Sequence, residues 1–384
     1  MPDPVPLDDR RPSDDQRPPD ARRRRLVLLA AVLLSPLVAE GAVRLAGVEG
    51  VVLHRQSGRL MRGAKEPLPH QPRPNASATV EYRERDGTLL RRTRMTINGE
   101  GYRGPIAGPI VDDRRPRIVC LGDSHTFGWG VDDGEPWPRV LEARLRAGSA
   151  TEAEVLNLGV DGFASTEEVV WLRREGLPRS PDVVLWQWFV NDLQLGGDND
   201  ERPPWKRSMA RWTSPWMGGW IGQLRRASRI ADQGLQAVHA RLVQTRGHFE
   251  NVAASLDHLE AWERARTAVL QGREETDATG ARFVVVAFPL LVRDGDTFAS
   301  RPVDVRVIDA LREHGIECID LGVLLPAERA RELRNSDIDY HPSALGHRLA
   351  AEAVARELRS RGLLESAQPR EASPSGVSPP GTPR

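Results

Sequence analysis

From residue 117 onward the chain alternates between two hydrophobic patterns. One is a short, nearly continuous apolar run, found at 117–121, 154–158, 182–188, 282–288 and 316–319. Runs of this length and β-branched content predict strands buried on both faces. The other pattern repeats every three to four residues, at 136–147, 166–176, 254–279, 303–314 and 343–362, and predicts helices. Strands alternating with helices predict an α/β domain whose parallel sheet is covered on both sides. Upstream, the runs 79–83 and 89–95 flank Asp86-Gly87 and predict a β-hairpin.

Residues 193–253 interrupt the alternation with an insert that holds Trp205, Trp212, Trp216 and Trp220. The last three are four apart and share one helical face. Ser214-Pro215 suits the start of that helix. The plain reading is a face packed on the main domain; a lid, a sugar-stacking platform and a membrane-facing surface stay open. Residues 47–115 read as a linker with the small hairpin, and the turn-rich Asn98 to Gly104 segment as packing on the domain that follows. The Pro-, Asp- and Arg-rich stretch 1–25 cannot build a core and predicts disorder. The Pro-, Ser- and Gly-rich tail 366–384 predicts the same.

Four arginines at 22–25 abut an apolar run at 26–39. Basic residues followed by an apolar run mark an export signal. As a helix the run is about 21 Å long, shorter than the roughly 30 Å hydrocarbon core. It fits a cleaved signal peptide. It also fits an uncleaved anchor over 26–46, with Glu40 and Arg44 at the far interface, and this is the preferred reading. The expectation is a single-pass cell-membrane protein with its bulk outside the cytoplasm; the alternative is a secreted one.

Composition adds little to this picture. Lys and Arg together number 54, as do Asp and Glu, so nothing points to nucleic acid as a partner. The two cysteines, Cys120 and Cys318, lie in strand runs and read as buried free thiols. No Cys/His spacing suggests zinc, and no cofactor is implied.

The candidate chemistry sits where strands end, which is where open α/β sheets bind ligands. Gly122-Asp123-Ser124 follows the first strand, making Ser124 a candidate nucleophile. A serine needs a base, a group to orient that base, and donors for the oxyanion. After the second strand, Asn157 to Phe163 contains Gly162, whose backbone N–H can approach a ligand closely. After the third, Phe189-Val190-Asn191-Asp192 offers the Asn191 amide. Before the last helix, Asp339-Tyr340-His341-Pro342 offers His341 as base, with Asp339 or Asp337 to fix its tautomer. Each has a bland reading: Gly-Asp-Ser is common, Asn-Asp after a strand is usually a turn, and a histidine before a helix is more often structural. Their joint placement along one sheet edge outweighs those readings.

These four segments, in this order, resemble the SGNH (GDSL-type) hydrolase family, over residues 117–362 without the tryptophan insert. His125 stands where the family often has Leu, and Phe189-Val190 replaces the usual leading Gly. Asp339 is two residues before His341, where three is the more frequent spacing. The basic and apolar start, with Asn98 to Gly104, is similar to an exported bacterial subgroup. The resemblance implies a three-layer α/β/α sandwich with a five-stranded parallel, flavodoxin-like sheet, spanning 116–365.

It also implies acyl transfer through an acyl-enzyme. Ser124 is the expected nucleophile, His341 the base and Asp339 its orienting acid, with Asp337 the alternative. The N–H groups of Ser124 and Gly162 and the Asn191 amide are the expected oxyanion donors. Asp123 is expected to brace the serine turn, Asp192 and His347 to be structural, and His125 to point away from Ser124. The expected function is a serine esterase acting on an O-acetyl or other acyl ester, of a small molecule, an envelope glycan or a lipid. An O-acyltransferase that modifies an envelope polysaccharide and a non-catalytic envelope-binding protein are the alternatives.

Overall fold

The computed structural model describes residues 34–35, 38–42, 52–54, 59–83, 88–106, 115–147, 153–193, 246–336 and 339–364. The four insert tryptophans, most of the expected anchor and both expected disordered tails lie outside these residues. Within the segment expected to be an anchor, residues 34–35 and 38–42 are helical. Among the described residues no helix is long and apolar enough to cross a membrane.

Residues 47–115 hold more than one hairpin. Strand β1 (Val52–His54) pairs antiparallel with β4 (Ser77–Arg83), which pairs antiparallel with β5 (Leu89–Thr96). Two short strands, β2 (Met61–Gly63) and β3 (His70–Pro72), form a second antiparallel pair. Burial alternates along β4, so Ala78, Val80 and Tyr82 point inward. That is the period-two signature of a half-buried antiparallel strand. The inward face packs with Leu60, Met95 and Ile97, and with Phe127 and Trp129 of the next domain.

That next domain is built on β6 (Arg117–Leu121), β7 (Glu154–Asn157), β8 (Val183–Trp188), β9 (Arg282–Ala287) and β12 (Glu317–Asp320). A small hairpin of β10 (Arg293–Asp294) and β11 (Thr297–Phe298) branches off after β9. The five main strands are all parallel, in the order β12-β9-β8-β6-β7. This is a doubly wound order whose switch point falls between β6 and β8. Both faces are covered. Ile118 and Cys120 face Trp137 and Leu141 of helix α2 (Trp137–Ala147) and Val354 and Leu358 of α9 (Ala344–Ser360). Val119 and Leu121 face the other layer, which holds α3 (Ser165–Trp171), α5 (Glu260–Asp277) and α6 (Arg301–Glu313). Cys120 and Cys318 are both buried free thiols, on strands separated by two others.

Two helices differ from the sequence pattern. The run 166–176 is helical only to Trp171, then widens into a π turn at Leu172–Gly176 and a 3-10 turn at Leu177–Arg179. Pro178 has no N–H to give a regular helix. The run 254–279 contains a break between α4 (Arg246–Ala254) and α5. Ser255 Oγ donates to Asn251 O at 3.0 Å, a side-chain bond that competes with the helical ladder.

Candidate active site

The apolar strand β6 ends at Leu121, and the chain turns through Gly122 into the one-turn helix α1 (Ser124–Phe127). Asp123 caps that turn, its Oδ1 accepting from His125 N at 2.8 Å. Gln187, fully buried on the neighbouring β8, holds the turn from beneath. Its Oε1 accepts from Asp123 N at 3.1 Å and from Thr126 Oγ1 at 3.0 Å. Ser124 is thereby fixed at the carboxyl end of the sheet, next to the switch point.

His341 arrives on the loop between α8 (Ala330–Leu333) and α9. That loop is pinned by Asn335 N donating to His341 O at 2.8 Å and Ser343 N donating to Leu333 O at 2.7 Å. Ser343 also caps α9, its Oγ accepting from Gly346 N at 3.2 Å. The Ser124 Oγ lies 2.9 Å from His341 Nε2, and His341 Nδ1 lies 2.5 Å from Asp339 Oδ1. With Nδ1–H donating to the carboxylate, Nε2 is left to accept from the serine hydroxyl. Asp339 is buried and His341 keeps about a fifth of its side chain exposed. Asp337 lies outside the described residues.

Burial alone would favour neutral forms at both Asp339 and His341, yet each shifts the other way. The His341 ring, and then the Tyr82 hydroxyl, outweigh burial and hold the Asp339 carboxyl below its usual range. Burial works against charge on His341, but the bond and charge of Asp339, with lesser help from Asp123 and Asp161, raise its pKa above the usual imidazole value.

The other expected site residues gather around Ser124. Asn191 follows β8 in a 3-10 turn, and its Nδ2 donates to Asp123 Oδ2 at 2.6 Å. One of its two amide hydrogens is spent on that bond; among the described residues Oδ1 has no partner. Gly162 lies in the loop after β7 with φ +82°, a left-handed conformation that favours glycine. The loop is tied to the serine turn by Val160 N donating to Gly122 O at 2.9 Å. Asp192 accepts from Ser165 N, Ser165 Oγ and Phe189 N at 2.7–3.0 Å, which binds the asparagine turn to α3. Burial pushes its carboxyl up to about 7 against those bonds. The His125 side chain lies on Asp123 and stacks against Phe189, with ring centroids 4.1 Å apart. His347 is buried on α9, its Nδ1 accepting from Trp137 N at 3.2 Å. Among the described residues no three His, Cys, Asp or Glu side chains converge as a metal-holding group.

Several neighbours of the site escaped the sequence pattern. Tyr82 of β4 donates its hydroxyl to Asp339 Oδ2 at 2.8 Å. His70 of β3 lies beside Gly162, its Nε2 2.8 Å from Asp161 O and its ring 5.3 Å from that of Phe163. Arg103 is buried under the segment after α1. It donates to the carbonyls of Phe127, Gly128 and Val131, the first at 2.9 Å and the last at 2.6 Å. Burial, opposed by Asp133, pulls its pKa down to about 10. The turn-rich Asn98 to Gly104 segment is the one available signal, because it singles out the stretch that ends beside Arg103. Nothing in the sequence pairs Tyr82 with a residue 257 positions away.

A serine, an imidazole and a carboxylate hydrogen-bonded in line at the carboxyl edge of a parallel sheet are the arrangement of a serine-dependent hydrolase. The chain belongs to the GDSL-like lipase/acylhydrolase family, whose profile matches residues 120–349. It is an ester-hydrolysing enzyme of that family. Similar solved structures include the lipase/acylhydrolase from Enterococcus faecalis, 17% identical, with TM-score 0.38, covering 64% of this chain and 96% of that one. The psychrotrophic esterase EstA from Pseudoalteromonas sp. is 12% identical, with TM-score 0.39 and coverage of 64% and 97%. A G-D-S-L family lipolytic protein from Desulfitobacterium hafniense is 15% identical, with TM-score 0.37 and coverage of 63% and 99%. No curated protein sequence matches the chain.

Proposed function

We propose that the enzyme is a serine esterase that works through an acyl-enzyme on Ser124. The observation that carries this reading is the continuous hydrogen-bonded line from Ser124 Oγ through His341 to Asp339, at 2.9 and 2.5 Å. In the first half-reaction Ser124 Oγ attacks the ester carbonyl carbon while its proton passes to His341 Nε2. Asp339 keeps Nδ1 protonated and stabilises the imidazolium. The N–H groups of Ser124 and Gly162 and the second amide hydrogen of Asn191 receive the oxyanion. The C–O bond then breaks, and the alcohol leaves with the proton from His341. Water repeats the sequence with His341 as base, releasing the acid and restoring Ser124. Asn191 is thus held by Asp123 in order to serve the substrate, and Asp123 braces the turn.

The domain responsible spans 116–365, including the insert at 193–253. The arginines at 22–25 with the apolar run 26–46 support an exported enzyme tethered to the cell membrane by one helix, with catalysis outside the cytoplasm. That location favours an acyl ester of an envelope glycan or lipid as substrate. The test is turnover of a short- and long-chain ester panel with an acetylated-glycan arm, beside Ser124→Ala. Turnover that disappears with Ser124→Ala supports the reading. Turnover that survives the substitution sinks it, as does a wild-type enzyme that hydrolyses none of the panel.

A further inference from the structure

The N-terminal sheet of β1, β4 and β5 reaches the candidate active site through a cross-strand pair. Tyr82 on β4 lies directly opposite Arg91 on β5. Such pairs have side chains close enough to act together, and here the Arg91 guanidinium carbon lies 4.4 Å from the centroid of the Tyr82 ring. The ring is 3% exposed, packed in the cluster that includes Phe127 and Trp129. Its hydroxyl takes the oxygen of Asp339 that His341 does not use. Arg91 donates to Gly130 O at 2.7 Å and to Asn335 Oδ1 at 2.5 Å. Asn335 in turn holds His341 O through its backbone and Trp129 O through its side chain, at 2.8 and 3.0 Å. The pair therefore grips the loop after Ser124 and the loop that carries His341 at once. Gly130 lets it do so: its φ is +77°, and a Cβ there would lie 2.1 Å from the Tyr82 hydroxyl.

We infer that the N-terminal antiparallel sheet is a working part of the active site, with Tyr82 as a positioning residue for the Asp339–His341 pair. The inference rests on the reading of His341 as the general base. A free carboxylate has two oxygens that can exchange places at His341 Nδ1. With Oδ2 occupied by the tyrosine hydroxyl, Oδ1 stays on the imidazole. The hydroxyl also draws charge from the carboxylate, so His341 is held as an imidazolium less tightly than an unshared carboxylate would hold it. Both effects keep the base oriented and able to give up its proton.

Tyr82→Phe removes the hydroxyl and keeps the packed ring. It is predicted to lower kcat about tenfold, the scale of one lost hydrogen bond to a charged group, with KM unchanged. The second readout is the titration of the His341 imidazole by NMR in wild type and Tyr82→Phe. The other groups facing that ring stay the same in both proteins: Asp123, Asp161, His125 and His347, with Arg91 behind Tyr82. The midpoint is predicted to move upward in the variant. Loss of packing alone would lower the melting temperature without moving that midpoint. An unchanged or lowered midpoint overturns the inference, as does an unchanged kcat. Ser124→Ala runs beside it. If Ser124→Ala is inactive and Tyr82→Phe turns over normally, the role of the sheet falls and the serine reading stands. If Ser124→Ala keeps its turnover, the serine reading falls, and the titration still decides whether Tyr82 acts on His341.

Discussion

The five-stranded parallel sheet and the three-stranded antiparallel sheet meet the candidate active site in opposite ways. The parallel sheet presents its residues at strand ends: Ser124 after β6, Gly162 after β7 and Asn191 after β8. The antiparallel sheet presents residues from strand interiors, Tyr82 and Arg91, through side chains on its packed side. The first set lies at the carboxyl edge of the parallel sheet, where open α/β sheets bind ligands. The second set bonds to Asp339 and holds the loop after Ser124 and the loop that carries His341. Groups that meet a substrate have to be at an open edge, whereas groups that hold them can come from any packed face nearby.

Substitutions in the two sets should have separable effects. The largest effect is expected at the groups proposed to carry the chemistry. His341→Ala should lower kcat by at least about 10⁴-fold, the scale for losing one member of such a triad, with the folded structure retained by circular dichroism. Asn191→Ala should cost about 10²–10³ in kcat, as for a lost oxyanion donor. Stopped-flow or steady-state kinetics on one ester would check both. If Asn191→Ala instead changed only KM, the amide would be a ground-state contact.

Bracing groups should respond in stability more than in chemistry. Arg103→Ala strips the partners from three backbone carbonyls beside α1. It should reduce unfolding free energy by roughly 3 kcal/mol in urea titration. An effect near zero would mean that water satisfies those carbonyls.

The smallest effect is a displacement on the pH axis. His341 must be neutral to accept the serine proton, and its pKa is raised in the folded protein. The rise of kcat/KM with pH should therefore have its midpoint above the unperturbed value of about 6.5. The sign for stability follows from the same shift. A raised pKa favours the folded state below about 6.5, and that contribution is lost as pH climbs through the folded value. A kinetic midpoint below 6.5 would mean that burial outweighs Asp339.

How much of this was legible in the sequence follows the same division. The five parallel strands were readable because strands buried on both faces need continuous apolar runs, and the observed bounds differ from those runs by a residue at most. Ser124, Gly162 and Asn191 stood out as candidates because strand ends in such a sheet converge on one edge; Asp339 and His341 stood out as a carboxylate and an imidazole two residues apart before the last helix. Short strands such as β2 and β3 carry no comparable signal, since three residues cannot display a period. Tyr82 and Arg91 were visible only as residues of the small hairpin, and Arg103 only as part of the turn-rich segment, in a region otherwise read as a linker. Their roles depend on which loops the antiparallel sheet packs against, and that is set by long-range packing of Leu60, Val80 and Met95 on Phe127 and Trp129. The break at Ser255 was equally hidden, because a serine inside a helical pattern signals nothing until its side chain is seen bonding to Asn251 O.

The proposed chemistry begins at Ser124 Oγ as the nucleophile, activated by His341. Intact-mass spectrometry after treatment with a fluorophosphonate probe tests it most directly. Wild-type protein should gain one covalent adduct, mapped to Ser124 by peptide mass, absent in Ser124→Ala and strongly slowed in His341→Ala. A folded wild-type protein that takes no label, or an adduct that persists in Ser124→Ala, would contradict it.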